Sequence, residues 1–182
     1  MKCNKPCLLV HLTLVLMTLC STLAFASKRI IFAFPTDGSD GSVPAGGLIS
    51  DAAGNLYGVT AAGGAYKWGG IFRLSFENGA WTESLLYRFK GGAADGSQPE
   101  SALLLDKSGN LYGTTSAGGP SNDGTLFKLA PDGQGGWTET VLHAFNGKDG
   151  RWSMAPLVAD AKGNLLWSHR GRLFYGCVND TF

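Results

Sequence analysis

Cysteine and histidine are scarce in this chain. Three of the four cysteines, Cys3, Cys7 and Cys20, crowd the N-terminus. Only Cys177 follows, so the rest of the chain has no pair for an intrachain disulfide. Cys177 is left either buried or free for an intermolecular bridge. Beyond His11 the only histidines are His143 and His169. A zinc site wants three or four imidazole or thiolate ligands, and they are not here. No cofactor is expected. Excess charge of one sign is also lacking: 15 basic residues face 14 acidic ones. A nucleic-acid partner, which wants a basic face, is therefore not expected. Neither a phosphate-binding P-loop nor a G-x-S-x-G nucleophile elbow occurs. Glycine, by contrast, is abundant at 27 residues, without the three-residue period of collagen. It leaves little room for helices, because an interior glycine costs about 1 kcal/mol relative to alanine.

The one long apolar run lies at the start. Lys2 and Lys5 precede it, it extends from Cys7 to Leu19, and Ala24-Phe25-Ala26 follows with small-x-small spacing. This order of features is that of a secretory signal peptide covering residues 1–26. The run is short for a membrane span, which needs about 20 apolar residues. No stable span is expected in the mature chain, residues 27–182. The expected location is exported: periplasm, cell surface or extracellular medium.

The mature chain repeats itself. Asp51-Ala52-Ala53-Gly54-Asn55-Leu56-Tyr57-Gly58 returns as Asp106-Lys107-Ser108-Gly109-Asn110-Leu111-Tyr112-Gly113, and again, decayed, as Asp160-Ala161-Lys162-Gly163-Asn164-Leu165-Leu166. Ile71-Phe72-Arg73-Leu74 matches Leu126-Phe127-Lys128-Leu129, and Trp81-Thr82-Glu83 matches Trp137-Thr138-Glu139. Phe34, Phe89 and Phe145 close successive units, and Asp40-Gly41, Asp95-Gly96 and Asp149-Gly150 open the next. The β-repeat domain at 27–182 thus holds units at about 44–89 and 99–145 and a partial unit at 153–175.

Apolar alternation within a unit has period two, as in strands. From Trp81 to Phe89 it is imperfect, because Leu86 falls on the polar side and Glu83 on the apolar one. Four strands per unit are expected, and no such sheet can shelter both its faces alone. The expected fold is all-β: a partial β-propeller-like array of four-stranded antiparallel blades. The segment Ile30 to Phe34 matches a fourth strand and is expected to complete the partial unit, giving about three blades, one of them composite. Closed propellers use roughly four to eight. The chain is therefore expected to leave a face open, and either to self-associate, for example as two chains in a six-bladed ring, or to be poorly soluble.

Gly109 to Thr115, then Gly118-Gly119, then Gly124 to Leu129, then Trp137 to Phe145 resemble the GloVer repeat. That resemblance spans about Phe32 to Leu165. It implies a tandem repeat of exported bacterial proteins, often followed by an anchor or autotransporter segment and usually present in many copies. Here the copies are few. After Leu165 the motif gives way to Leu166-Trp167-Ser168-His169, as in a short or truncated member of the group. The resemblance implies no catalytic residue.

Candidate site residues are those that differ between copies. Tyr66 and Trp68 stand where the second copy has Ser121 and Asp123, and they could stack on a sugar ring or a protein partner. Asp37 and Asp40, three apart among glycines, are the weak candidates for a calcium ion, although they lack the EF-hand pattern. His143 stands in the place of Tyr87 and reads as a packing or rim position, and His169 has no obvious partner. Asp51, Asp106 and Asp160 read as Asx turns. The function expected is that of a noncatalytic exported module for binding or structure, with a glycan or protein partner. The alternatives are a glycan-active enzyme on a propeller scaffold and a nonfunctional truncated fragment of a longer repeat protein.

Overall fold

The computed structural model describes residues 30–35, 37–38, 41–169 and, for the backbone alone, 172–176. The segment expected to be a signal peptide, residues 1–26, lies outside the described residues, as do Asp40 and Cys177. Among the described residues there is no helix. The first sheet is an antiparallel meander of β1 (Ser42–Ser50), β2 (Leu56–Ala62), β3 (Gly70–Glu77) and β4 (Ala80–Arg88). The second contains β5 (Gly96–Pro99), β6 (Leu104–Leu105), β7 (Leu111–Gly118), β8 (Thr125–Pro131) and β9 (Trp137–Ala144). β5 and β6 both pair with β7 and together occupy the place of β1, whose register shifts between Ala45 and Ile49. The third sheet has β10 (Val158–Ala159), β11 (Leu165–His169) and β12 (Arg172–Gly176).

Local chemistry sets the turns. Asn78 and Gly79 take φ of 52° and 82° between the paired residues Glu77 and Ala80. Two left-handed residues in a two-residue hairpin loop match the twist of the flanking strands, and Asn-Gly is the preferred pair for it. The uneven alternation of β4 has a physical source. Ile71 pairs with Tyr87 while the next residue, Phe72, pairs with Leu85, so Leu86 is bulged out of the ladder. The bulge turns Leu86 into the core cluster, along with Tyr87. The second unit repeats the device at Leu142, between Val141 and His143.

The sheets bury their faces against each other. Tyr57, Val59, Ile71 and Phe89 of the first unit meet Leu103, Leu111, Phe127 and Leu129 of the second. Tyr112, Leu126 and Phe145 of the second meet Leu157, Leu165 and Trp167 of the third. Full burial of each such side chain contributes about 1.5–3 kcal/mol. The closing phenylalanine of each unit acts as a latch. Phe89 meets Phe127 edge-on at 5.2 Å, and Phe34 meets Phe72 at 4.8 Å. Gly58 and Gly113 make room for the receiving rings, since a Cβ on either would stand 2.6 Å from the Cζ of Phe72 or Phe127. The third sheet solves the same problem differently. Trp167 takes the glycine's position and packs 6.0 Å from Phe145. What reads in sequence as decay of the motif is, at this residue, an alternative filling of the same slot.

Two expectations are modified. Ile30 to Phe34 forms no strand and does not pair with β12. Its Phe34 ring goes instead to the first sheet, because Phe72 offers an apolar seat there. The array of stacked sheets is not closed into a ring among the described residues. β12 does match a third strand reached by a shortened connection, with His169 and Arg172 paired across it.

Candidate functional site

The repeated aspartates are fully engaged in holding turns. The Oδ1 of Asp51 accepts from the backbone N–H groups of Ala53 and Asn55, both at 2.9 Å. Its Oδ2 accepts from the Asn55 amide and from the Tyr57 hydroxyl. Burial alone would raise the Asp51 pKa, but these donors outweigh it and hold the carboxyl below its ordinary value. Asp106 repeats all four bonds with Ser108, Asn110 and Tyr112. Asp160 repeats three, with leucine in the tyrosine's place. The Asx-turn reading of these residues is thus borne out.

The second set of aspartates holds the connection between units. Asp95 accepts from the Tyr87 hydroxyl at 3.0 Å, the Lys90 N–H at 2.7 Å and its neighbour Gly96. In the next unit Asp149 meets the Nε2 of His143 at 3.0 Å and accepts from the N–H of Asn146. The exchange of tyrosine for histidine therefore conserves a bond to the Asp-Gly bend. The sequence assigns His143 a packing or rim position, and the ring does pack edge-on to Phe145, but its Asp149 partner is missed. The signal available was the fixed order of a tyrosine or histidine, then phenylalanine, then Asp-Gly.

Tyr66 and Trp68 lie on the loop between β2 and β3, about half exposed at 49% and 45%. The loop follows Gly63 and Gly64, both with positive φ, and Lys67 between the two aromatics is also left-handed. The Trp68 carbonyl accepts from the N–H of Gln98 at 2.9 Å, which ties the loop to the second sheet. Its indole lies over Gly91, where a Cβ would come within 3.1 Å of the ring. One side of Trp68 thus covers the connection between units while the remainder faces solvent. Ser121 and Asp123 hold the corresponding places in the second unit, where the Asp123 carbonyl makes the same kind of bond to Trp152. The backbone contact belongs to the repeat; the aromatic side chains do not.

Near Asp95 and Tyr87 lies a residue that the sequence does not single out. Glu139, on β9, is half-buried at the seam between the first two units, and its Oε1 has no hydrogen-bond partner among the described residues. Burial first, and the nearby negative charge of Asp95 second, push its pKa up to about 7, against a smaller opposing pull from Lys90. Burial first, then the negative charges of Asp95 and Glu139, push the Tyr87 hydroxyl well above its ordinary value. In the sequence Glu139 is only the last residue of the repeated Trp-Thr-Glu. Its neighbours come from another unit, and no spacing within the chain announces them.

The remaining candidates stay apart. Asp37 is exposed. Among the described residues no cluster of three or more His, Cys, Asp or Glu side chains could hold a metal. His169 lines a cavity of ≈ 450 Å³ with Trp152 and Met154, away from Tyr66 and Trp68. Among the described residues no helix is long and apolar enough to cross a membrane.

No curated protein matches the chain in sequence. The sequence model of one family does, over residues 18–171, a span that starts inside the apolar N-terminal run, takes in the first two units whole and ends just before β12 of the third. The chain belongs to the family described as the Gloeobacter/Verrucomicrobia repeat.

Proposed function

We propose that this chain is an exported, noncatalytic β-repeat protein, acting as a surface or secreted module for binding or structure, with its loops as the contact elements. The observation that carries the reading is the division of labour between the residues. The repeated aspartates are spent on turns and connections, whereas Tyr66 and Trp68, specific to one copy, stand half exposed on a loop pinned at its carbonyl. A pinned loop with exposed aromatics suits stacking on a sugar ring or a protein surface, because little ordering entropy is lost on contact. Two aromatics alone imply weak affinity. Export is supported by the signal-peptide pattern of residues 1–26.

A glycan array followed by calorimetry on Tyr66→Ala and Trp68→Ala tests the binding. Weak binding lost in both variants is the expected result. Tight binding indifferent to both would place the site elsewhere. A second reading, a glycan-active enzyme, draws on Glu139, whose raised pKa beside Asp95 suits a general acid. Turnover of a polysaccharide, abolished in Glu139→Gln, would establish that reading instead. For export, mass spectrometry of the delivered protein should find Ser27 as the first residue; retention of Met1 would contradict it.

A further inference from the structure

The two contacts between neighbouring sheets define which residues each unit gives and which it receives. A unit receives with its first-strand leucine, its β2-type leucine and the ring below the latch: Leu103, Leu111 and Phe127 in the second unit, Leu157, Leu165 and Trp167 in the third. It gives with its latch phenylalanine, its signature tyrosine and the residue after the first-strand leucine. That last residue is Ile49 in the first unit and Leu104 in the second, and both pack into the contact. Among the described residues each role has one copy left over. Leu48, the first unit's receiving leucine, is 52% exposed, whereas Leu103 and Leu157 are each 4% exposed. Val158, the third unit's giving residue, is 60% exposed.

Both leftover faces are shaped for occupancy. Leu48, Phe72 and Phe34 rim a groove of ≈ 180 Å³ on the first sheet. Val158, Leu166 and Trp167 rim one of ≈ 340 Å³ on the third. Phe34 already occupies the receiving ring in nearly the geometry of the internal contact, with interplanar angles of 68° and 65° for the two pairs. It arrives on the segment Ile30-Ile31-Phe32-Ala33-Phe34, whose pattern follows Val141-Leu142-His143-Ala144-Phe145 at the end of β9. Val43 also keeps the left-handed backbone, φ 57°, of Gln98 and Trp152, whose N–H groups bond the preceding unit's loop. No unit precedes Val43 among the described residues. At the other end, β12 pairs only with β11 among the described residues, which leaves the third sheet one strand short of the first.

We propose that the third sheet of one copy of this chain docks on the first sheet of a second copy, with Val158 against the Leu48 face and residues 30–34 of the receiving copy added to the edge of β12. The contact repeats the chain's own sheet-to-sheet interface between molecules. Its two sides differ, so it is head-to-tail: it closes into a ring where the rotation allows and otherwise extends. Strand addition supplies backbone bonds, and the two exposed apolar faces supply the burial.

The test uses the protein that cells expressing the full chain deliver, and three forms of it: the natural sequence, Leu48→Glu and Val158→Glu. Both positions are exposed, so neither substitution disturbs the folded unit, and a strand-dominated circular dichroism spectrum checks this. Sedimentation between roughly 1 and 100 micromolar, a range that covers contacts of moderate affinity, should show assembly of the natural protein and a single-chain species for each variant. An equimolar mixture of the variants should give a two-chain species, because one copy brings an intact giving face and the other an intact receiving face. A natural protein that stays monomeric throughout overturns the proposal. So does assembly that survives in either variant alone, as a contact between like faces would allow, or a mixture in which no two-chain species forms.

Discussion

Substituting Gly113 by alanine adds a single methyl group, and the structure determines where that methyl goes. Its Cβ would stand 2.6 Å from the Cζ of Phe127 and 3.0 Å from the Cδ2 of Leu103. Phe127 is fully buried and Leu103 nearly so, and the Phe89 ring blocks retreat at 5.2 Å. Overpacking of this kind costs about 1–3 kcal/mol. Alanine regains about 0.5–1 kcal/mol of chain entropy relative to glycine in a strand. With both neighbours buried, the upper half of the overpacking range applies, and the net loss should be about 1–2.5 kcal/mol, a sizeable share of a stability on the order of 5–15 kcal/mol. Gly58→Ala is the internal comparison. Its Cβ meets Phe72 and Leu48 at similar distances, but Leu48 is half exposed and free to swing outward. It should cost distinctly less. Urea unfolding of the two variants, read at unchanged m-value, measures both. A neutral Gly113→Ala, or a Gly58→Ala that costs as much or more, would refute the account of the latch.

Two further outcomes follow from the site. Glu139 has its folded pKa raised from 4.5 to about 7, so ionising it opposes folding. Stability should fall as pH rises from about 4.5 to 7 and level off above, by about 1–2 kcal/mol once its half-exposed position is discounted. In Glu139→Gln this portion of the pH dependence should vanish, as denaturant titrations at pH 5 and pH 8 would show. Asp106→Ala removes the acceptor shared by two backbone N–H groups, the Asn110 amide and the buried Tyr112 hydroxyl. It should cost about 2–3 kcal/mol, whereas Asp132→Ala, which frees only two exposed N–H groups, should cost clearly less by the same assay.

Much of this architecture is legible in the sequence because each unit states it again. The Asp-x-x-Gly-Asn turns, the period-two strands and the closing phenylalanines are local patterns, and local patterns survive projection onto a line. The bulges at Leu86 and Leu142 are not legible in the same way. They look like errors of alternation until the facing strand shows that one residue has left the ladder. Trp167 reads as loss of the motif, but only the neighbouring unit's Phe145 reveals that it fills a slot. Ile30 to Phe34 carries a strand-like pattern without a strand partner among the described residues, since pairing depends on an edge and not on composition. At the site, Tyr66 and Trp68 stand out by differing between copies. Glu139 does not, because its raised pKa arises from a seam between units and from a carboxylate on a distant segment.

If the latch holds the units together, Phe89 and Phe127 should be coupled in a double-mutant cycle. Both rings are fully buried and belong to different sheets. Phe89→Leu, Phe127→Leu and the double variant keep the site apolar while removing the edge-on pair. The coupling between the two positions should be favourable by about 0.5–1.5 kcal/mol. Losses that simply add, with no coupling beyond error, would contradict it.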